Sequence, residues 1–130
     1  MLSKALILIL VMLSLLLYAQ RAIAEPIEIT KSPNIKVYAF EKVLDRWGDK
    51  QWSYFSEIVY KESNWETLAK NPKSSACGLG QTMMSLHGEE LPKDFCSNAI
   101  AQIDWTIDYI DSRYDTPQKA LQFWNKNKYY

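Results

Sequence analysis

The chain has 130 residues, enough for one small domain and not for two. Its 15 basic residues balance 15 acidic ones, and without residues 1–24 the balance is 13 to 15. That gives no electrostatic reason to expect nucleic acid or an anionic membrane as partner, nor a strong pull towards anionic cell-wall polymers. His87 is the only histidine and the cysteines number two, so no metal-ligand set assembles and no cofactor is expected. The aromatic content of 13% would serve a carbohydrate cleft or a small core equally well.

Residues 1–24 read as an export signal: Lys4 is the positive n-region, and Ala5 to Ala19 is an almost unbroken apolar run. Ala22-Ile23-Ala24 then offers a small-x-small cleavage site. The run is short of the roughly 20 apolar residues a spanning helix needs. An uncleaved signal anchor, with Gln20 and Arg21 at the interface, is the alternative and the only route to a membrane. Residues 25–34, with Pro26 and Pro33, read as a linker, and 35–130 as the domain. Ser32-Pro33 has the form of a helix start. Val37, Phe40, Val43, Leu44 and Trp47 follow at helical spacing and predict a core-covering helix that Gly48 ends.

A second helix is predicted from about Gln51 to Ser63. Phe55, Ile58, Val59 and Glu62 share one of its faces, three apolar positions and a carboxyl. A carboxyl at the edge of an apolar stripe loses hydration, so its pKa rises, as a general acid working near neutral pH requires. The helix dipole adds to the effect, because Glu62 lies near the negative end. The competing reading leaves Glu62 in water at a fraying helix end. Trp65 is expected to pack beneath the acid.

Asn71-Pro72 starts a turn, Ser74 and Ser75 suit a loop, and Gly78 and Gly80 permit positive φ or close backbone approach. The serines either hold the loop or orient the acid. Met83, Met84 and Leu86 predict a short helix turned to the core or the cleft. Cys77 and Cys96, downstream of an export signal, are expected to form a disulfide closing a loop of about 20 residues, worth roughly 3 kcal/mol. His87, Glu89 and Glu90 read as surface residues. From Asn98 to Tyr114 the stripe Ile100, Ile103, Ile107, Ile110 and Tyr114 predicts a long helix, with Asp104, Asp108, Asp111 and Asp115 solvated on the other side. Trp105 and Tyr109 either broaden the core contact or border a cleft. Thr116-Pro117 then starts a last helix carrying Ala120, Leu121, Phe123 and Trp124.

Two segments stand out together: Glu62-Ser63-Asn64-Trp65, then Asn71-Pro72 followed by Ser74-Ser75-Ala76-Cys77-Gly78-Leu79-Gly80-Gln81. Their order and spacing resemble the soluble lytic transglycosylase family of the lysozyme-like superfamily. The short secreted branch, such as the C-terminal domains of aggregation-promoting factors, is especially similar. The likeness covers roughly residues 50 to 130 and implies a mainly α, small lysozyme-like helical domain. By that resemblance Glu62 is the catalytic acid, and Ser63, Ser75, Gly78, Leu79, Gly80, Gln81 and Trp124 belong to the sugar cleft. Gln81 has a second reading as a satisfied side chain at a helix start. The family's Ala-x-x-Tyr-Asn-Ala-Gly motif is replaced by Phe123-Trp124-Asn125, with no Ala-Gly following. Trp124 matches the missing tyrosine in shape, and Tyr129 and Tyr130 offer hydroxyls at a terminus expected to fray.

Standard glycosidases use two carboxylates. Here only Glu62 is placed by motif, since Glu66 lies one turn onward. The resemblance implies a one-acid reaction on peptidoglycan glycan strands by a monomer, giving 1,6-anhydro-muramic products. A muramidase of the same fold and a non-catalytic wall-binding module are the rivals.

Overall fold

The computed structural model describes residues 3–23 and 34–130. Helix α1 (Lys4–Ile23) belongs to one compact unit, and everything from Asn34 onward belongs to a second. Among the described residues no helix is long and apolar enough to cross a membrane. The expected cleavage position at Ala24, the linker up to Pro33 and the Ser32-Pro33 helix start lie outside the described residues.

The second unit is mainly helical. It contains α2 (Ile35–Trp47), α3 (Trp52–Ser63), a hairpin of β1 (Ala76–Cys77) and β2 (Thr82–Met83), then α4 (Met84–His87), α5 (Ala99–Tyr114) and α6 (Pro117–Asn127). The first helix of this unit begins later than expected, with Asn34 as cap: its side-chain oxygen accepts from the Lys36 N–H at 3.1 Å. Gly48 ends it at φ 87°, a left-handed value that glycine adopts without strain. The buried face of α2 also differs from the expected one. Ala39 and Val43 are fully buried, whereas Val37, Phe40 and Leu44 are 52%, 37% and 43% exposed. The seam runs Ile35, Ala39, Val43, Trp47 at steps of four, and only its last two members coincide with the stripe read from sequence.

Polar contacts explain that rotation. Tyr38 donates to Asp104 at 2.7 Å, Arg46 reaches Asp108 at 3.0 Å and Asp111 at 2.7 Å, and the Trp47 indole donates to Asp111 at 3.1 Å. Three of the four aspartates expected to be merely solvated therefore anchor α2 to α5, while Asp115 pairs with Lys119 within 2.7 Å. Partly exposed ion pairs of this kind are each worth at most about 1 kcal/mol, so they select the docking face more than they stabilise it.

Phe55, Ile58 and Val59 of α3, Leu79 of the hairpin turn, Ile103, Ile107 and Ile110 of α5, and Ala120 and Leu121 of α6 complete the core. Ile100 departs from the predicted stripe and is 40% exposed, because Gln102 and Thr106 take buried positions beside the isoleucines. The capped starts of the last two helices follow the sequence: Asn98 accepts from Ala101 N–H at 3.1 Å, and Thr116, before Pro117, accepts from Lys119 N–H at 3.4 Å.

Cys77 and Cys96 are joined, tying the hairpin to the short 3-10 turn Phe95–Ser97. Replacing both with serine is expected to lower the unfolding free energy by about 3 kcal/mol, measured by urea denaturation under oxidising conditions. A loss well under 1 kcal/mol would contradict a stabilising role for this link.

Candidate active site

Helix α3 carries Glu62 one residue before its last, Ser63, and Asn64 then turns the chain out at φ 52°. The face that buries Ile58 and Val59 brings the Glu62 carboxyl to the floor of a cleft of about 500 Å³. Helix α6 supplies the opposing wall, and its Trp124 indole N–H donates to Glu62 Oε1 at 2.5 Å. Two effects act on the carboxyl in opposite directions. Burial disfavours the charged form and raises the pKa, and the indole hydrogen bond favours the charged form and lowers it. Burial is the larger, so Glu62 titrates above its ordinary value. The indole can only donate, which commits Oε1 as an acceptor and leaves Oε2 to carry the proton.

The rest of the cleft comes from the hairpin and the end of the chain. Asn71, Ser74, Ala76, Gly80, Gln81 and Met83 line it together with Lys61, Lys128, Tyr129 and Tyr130. Among these described residues Glu62 is the only carboxylic acid. The turn Gly78-Leu79-Gly80-Gln81 links Cys77 to its antiparallel partner Thr82. Gly78 has φ 79°, and a Cβ there would collide with the Gln102 carboxamide. A Cβ on Gly80 would meet Thr106 Oγ1 and, at 2.8 Å, the Tyr130 hydroxyl. Both glycines are thus required by close approach, the second directly beside the cleft.

Several residues assigned to sugar contact do other work. Leu79 is fully buried, and only its backbone has a polar role. Ser63 is buried, its hydroxyl 2.8 Å from the Leu79 carbonyl and 3.1 Å from that of Val59, so it ties the turn to α3 and cannot reach a sugar. Gly78 packs on Gln102 away from the cleft lining. Ser75 is outside the lining as well: its oxygen accepts from Ser85 N–H at 2.9 Å and pairs with the Ser85 hydroxyl at 2.8 Å, joining β1 to α4. Gly80, Gln81 and Trp124 do line the cleft. Gln81 sits at φ 50°, and its amide donates to Gly78 O at 3.0 Å and Ala69 O at 3.4 Å, which leaves its carbonyl oxygen for a ligand. Its amide is thus satisfied as the second reading expects, but in a turn and not at a helix start.

Trp65 does not lie under the acid. It follows Asn64 in a second left-handed residue, φ 63°, which swings its ring towards Trp52 at 5.9 Å with Lys36 above it at 5.3 Å. Trp105 and Tyr109 stack on each other at 4.9 Å, His87 leans on Trp105 at 5.1 Å, and Tyr109 meets Tyr130 at 5.8 Å. His87 is therefore half-buried among aromatic rings. Leu86 is 72% exposed and faces neither core nor cleft.

Two residues that organise the site carry no motif. Gln102 is buried on α5; its Oε1 accepts from Leu79 N–H at 2.8 Å, and its Nε2 donates to Phe95 O at 2.7 Å and Thr67 O at 3.2 Å. One carboxamide thus holds the cleft-side turn, the Phe95 turn and the Thr67 loop together. Gln102 falls between Ile100 and Ile103, off the stripe, so its spacing does not single it out. Tyr130 does not fray: its hydroxyl donates to Gly80 O at 3.0 Å, and its ring packs against Tyr109 and Tyr114. Burial, reinforced by the Glu62 charge, pushes its pKa well up, so it remains a neutral phenol.

Because the folded-state pKa of Glu62 exceeds its ordinary value, the folded chain holds this proton more tightly than the unfolded one. That stabilisation is complete below the ordinary carboxylate value and is lost as pH rises through the folded value. Glu62→Gln, neutral throughout, is expected to melt at a higher temperature than the unmodified chain at alkaline pH. The gap should close as pH falls below the carboxylate range, followed by thermal denaturation across pH. A variant equally stable or less stable at every pH would contradict the shift.

Comparison with known proteins finds no matching family model, no matching curated protein and no matching solved structure.

Proposed function

We propose that residues 35–130 form a small lysozyme-like lytic transglycosylase domain, exported by residues 1–24, that cleaves the β-1,4 bond between muramic acid and glucosamine units of peptidoglycan. The observation that carries this reading is the environment of Glu62. It is half-buried, raised in pKa, hydrogen-bonded by an indole alone, and without a carboxylate partner in the cleft. A hydrolase of the usual kind needs a second carboxylate to activate water or trap the sugar. A one-acid site must let the substrate supply the nucleophile.

In the reaction implied by the resemblance, Glu62 Oε2 gives its proton to the glycosidic oxygen as the bond to the muramic C1 breaks. The substrate's own groups share the positive charge that develops. The Glu62 carboxylate, now held by the Trp124 N–H, then takes the proton of the 6-hydroxyl, whose oxygen closes on C1. The product is an anhydro ring, and Glu62 ends protonated as it began. The opposing influences on Glu62 suit this double role, because burial favours the acid before cleavage and the indole steadies the base after it. Tyr130, a neutral phenol at the cleft, spends its proton on Gly80 O and braces the turn beside Glu62. The disulfide fits an oxidising, extracytoplasmic setting. The glycan strand is the partner, met by a monomer, and the reaction calls for no cofactor.

Purified peptidoglycan digested by the chain is expected to release anhydro-muropeptides, read by mass spectrometry. Glu62→Gln should reduce the rate by at least about a thousandfold, the loss of both acid and base steps. Reducing-end products would instead identify a muramidase. No soluble product from folded protein at several pH values would leave a binding module.

A further inference from the structure

Beside the acid, the cleft carries two lysines, of which Lys61 is ion-paired on its own helix and Lys128, among the described residues, is not. Lys61 Nζ lies 4.7 Å and Lys128 Nζ 5.3 Å from the centre of the Trp124 ring. That same ring donates to Glu62, and Lys61, Lys128 and Glu62 all line the one cleft. Lys61 is steadied from behind by Glu57 at 3.4 Å, which is not part of the cleft lining. Lys128 makes no ion pair among the described residues. The local charge is not a general property of the chain, which has 13 basic and 15 acidic residues after position 24. Nor is it spent on Glu62, whose shift comes from burial and the indole.

We propose that Lys61 and Lys128 bind a carboxylate borne by the sugar at the scissile bond, so that the cleft selects glycan strands whose lactyl groups carry no peptide. This rests on the reading of the site as a peptidoglycan cleft. The lactyl ether stands on C3 of the muramic ring, two carbons from the C1 that reacts at Glu62. With a stem peptide attached, its carboxyl is an amide and has no charge. With the peptide removed it is a carboxylate, to which a lysine ammonium makes a charge-assisted hydrogen bond. The reaction that must supply this substrate is hydrolysis of the amide between lactyl group and peptide. The cleft would act after it.

The test measures equilibrium binding to the Glu62→Gln chain, which needs no turnover. The probes are glycan strands bearing peptides, strands stripped of peptides, and stripped strands whose lactyl carboxyls are converted to methylamides. Stripped strands are expected to bind about tenfold more tightly than both others, with the advantage shrinking as salt is added. It should fall to about twofold in Lys128→Gln and vanish in Lys61→Gln/Lys128→Gln. Equal binding of all three would overturn the proposal. So would methylamide strands that bind as well as stripped ones, since bulk and not charge would then be selected. A preference that survives both lysine substitutions would overturn it too. Folded protein that binds none of the strands defeats this proposal and the peptidoglycan reading together, whereas strand binding without lysine-dependent preference defeats this one alone.

Discussion

The hydrogen bond from the Trp124 indole to Glu62 is the contact on which the site depends. It spans α3 and α6, whose packing buries Ala120 and Leu121 against Phe55, Ile58 and Val59. It also sets how far burial can push the carboxyl. Without the indole, burial alone would raise the pKa further, and without the burial, the indole bond alone would lower it. The balance between them is fixed by helix packing and needs no second titrating group.

The hairpin has the matching task of bringing backbone, and not side chains, to the cleft edge. Gly80 lets the chain pass beside Thr106 and Tyr130, and Gly78 lets it pass over Gln102. Gln102 then fixes the turn through Leu79 N–H, while Ser63 fixes it through Leu79 O. Leu79 itself fills the core between them. The polar residues around this turn are therefore supports for its geometry. The disulfide reaches the same hairpin from the other side, from the Phe95 turn that Gln102 also holds.

Local patterns made part of this legible. The helix cap at Thr116, the isoleucine stripe of α5 and the position of Glu62 on α3 are set by neighbours within a turn or two, so the sequence displays them. What it conceals depends on distant partners. The face that α2 buries is chosen by aspartates more than 60 residues away on α5, so its exposed Val37, Phe40 and Leu44 look like core. Trp65 lies away from the acid because two consecutive left-handed residues redirect it; Asn64 suits that cap conformation, but nothing local demands it of Trp65. Ser63 and Ser75 carry hydroxyls that serve either a ligand or a backbone, and only the fold decides which. Tyr130 gains its place from Gly80, 50 residues earlier. An aromatic near the end of a sequence gives no hint of that.

The most direct test of the central claim is a titration of the Glu62 carboxyl itself, by carbon-detected NMR of the unmodified chain beside Trp124→Phe. The account predicts a midpoint above the ordinary carboxylate value in the unmodified chain, moving higher when the indole donor is removed. A midpoint at or below the ordinary value, or a downward move in Trp124→Phe, would mean that burial does not govern this carboxyl and that Glu62 is not poised as an acid.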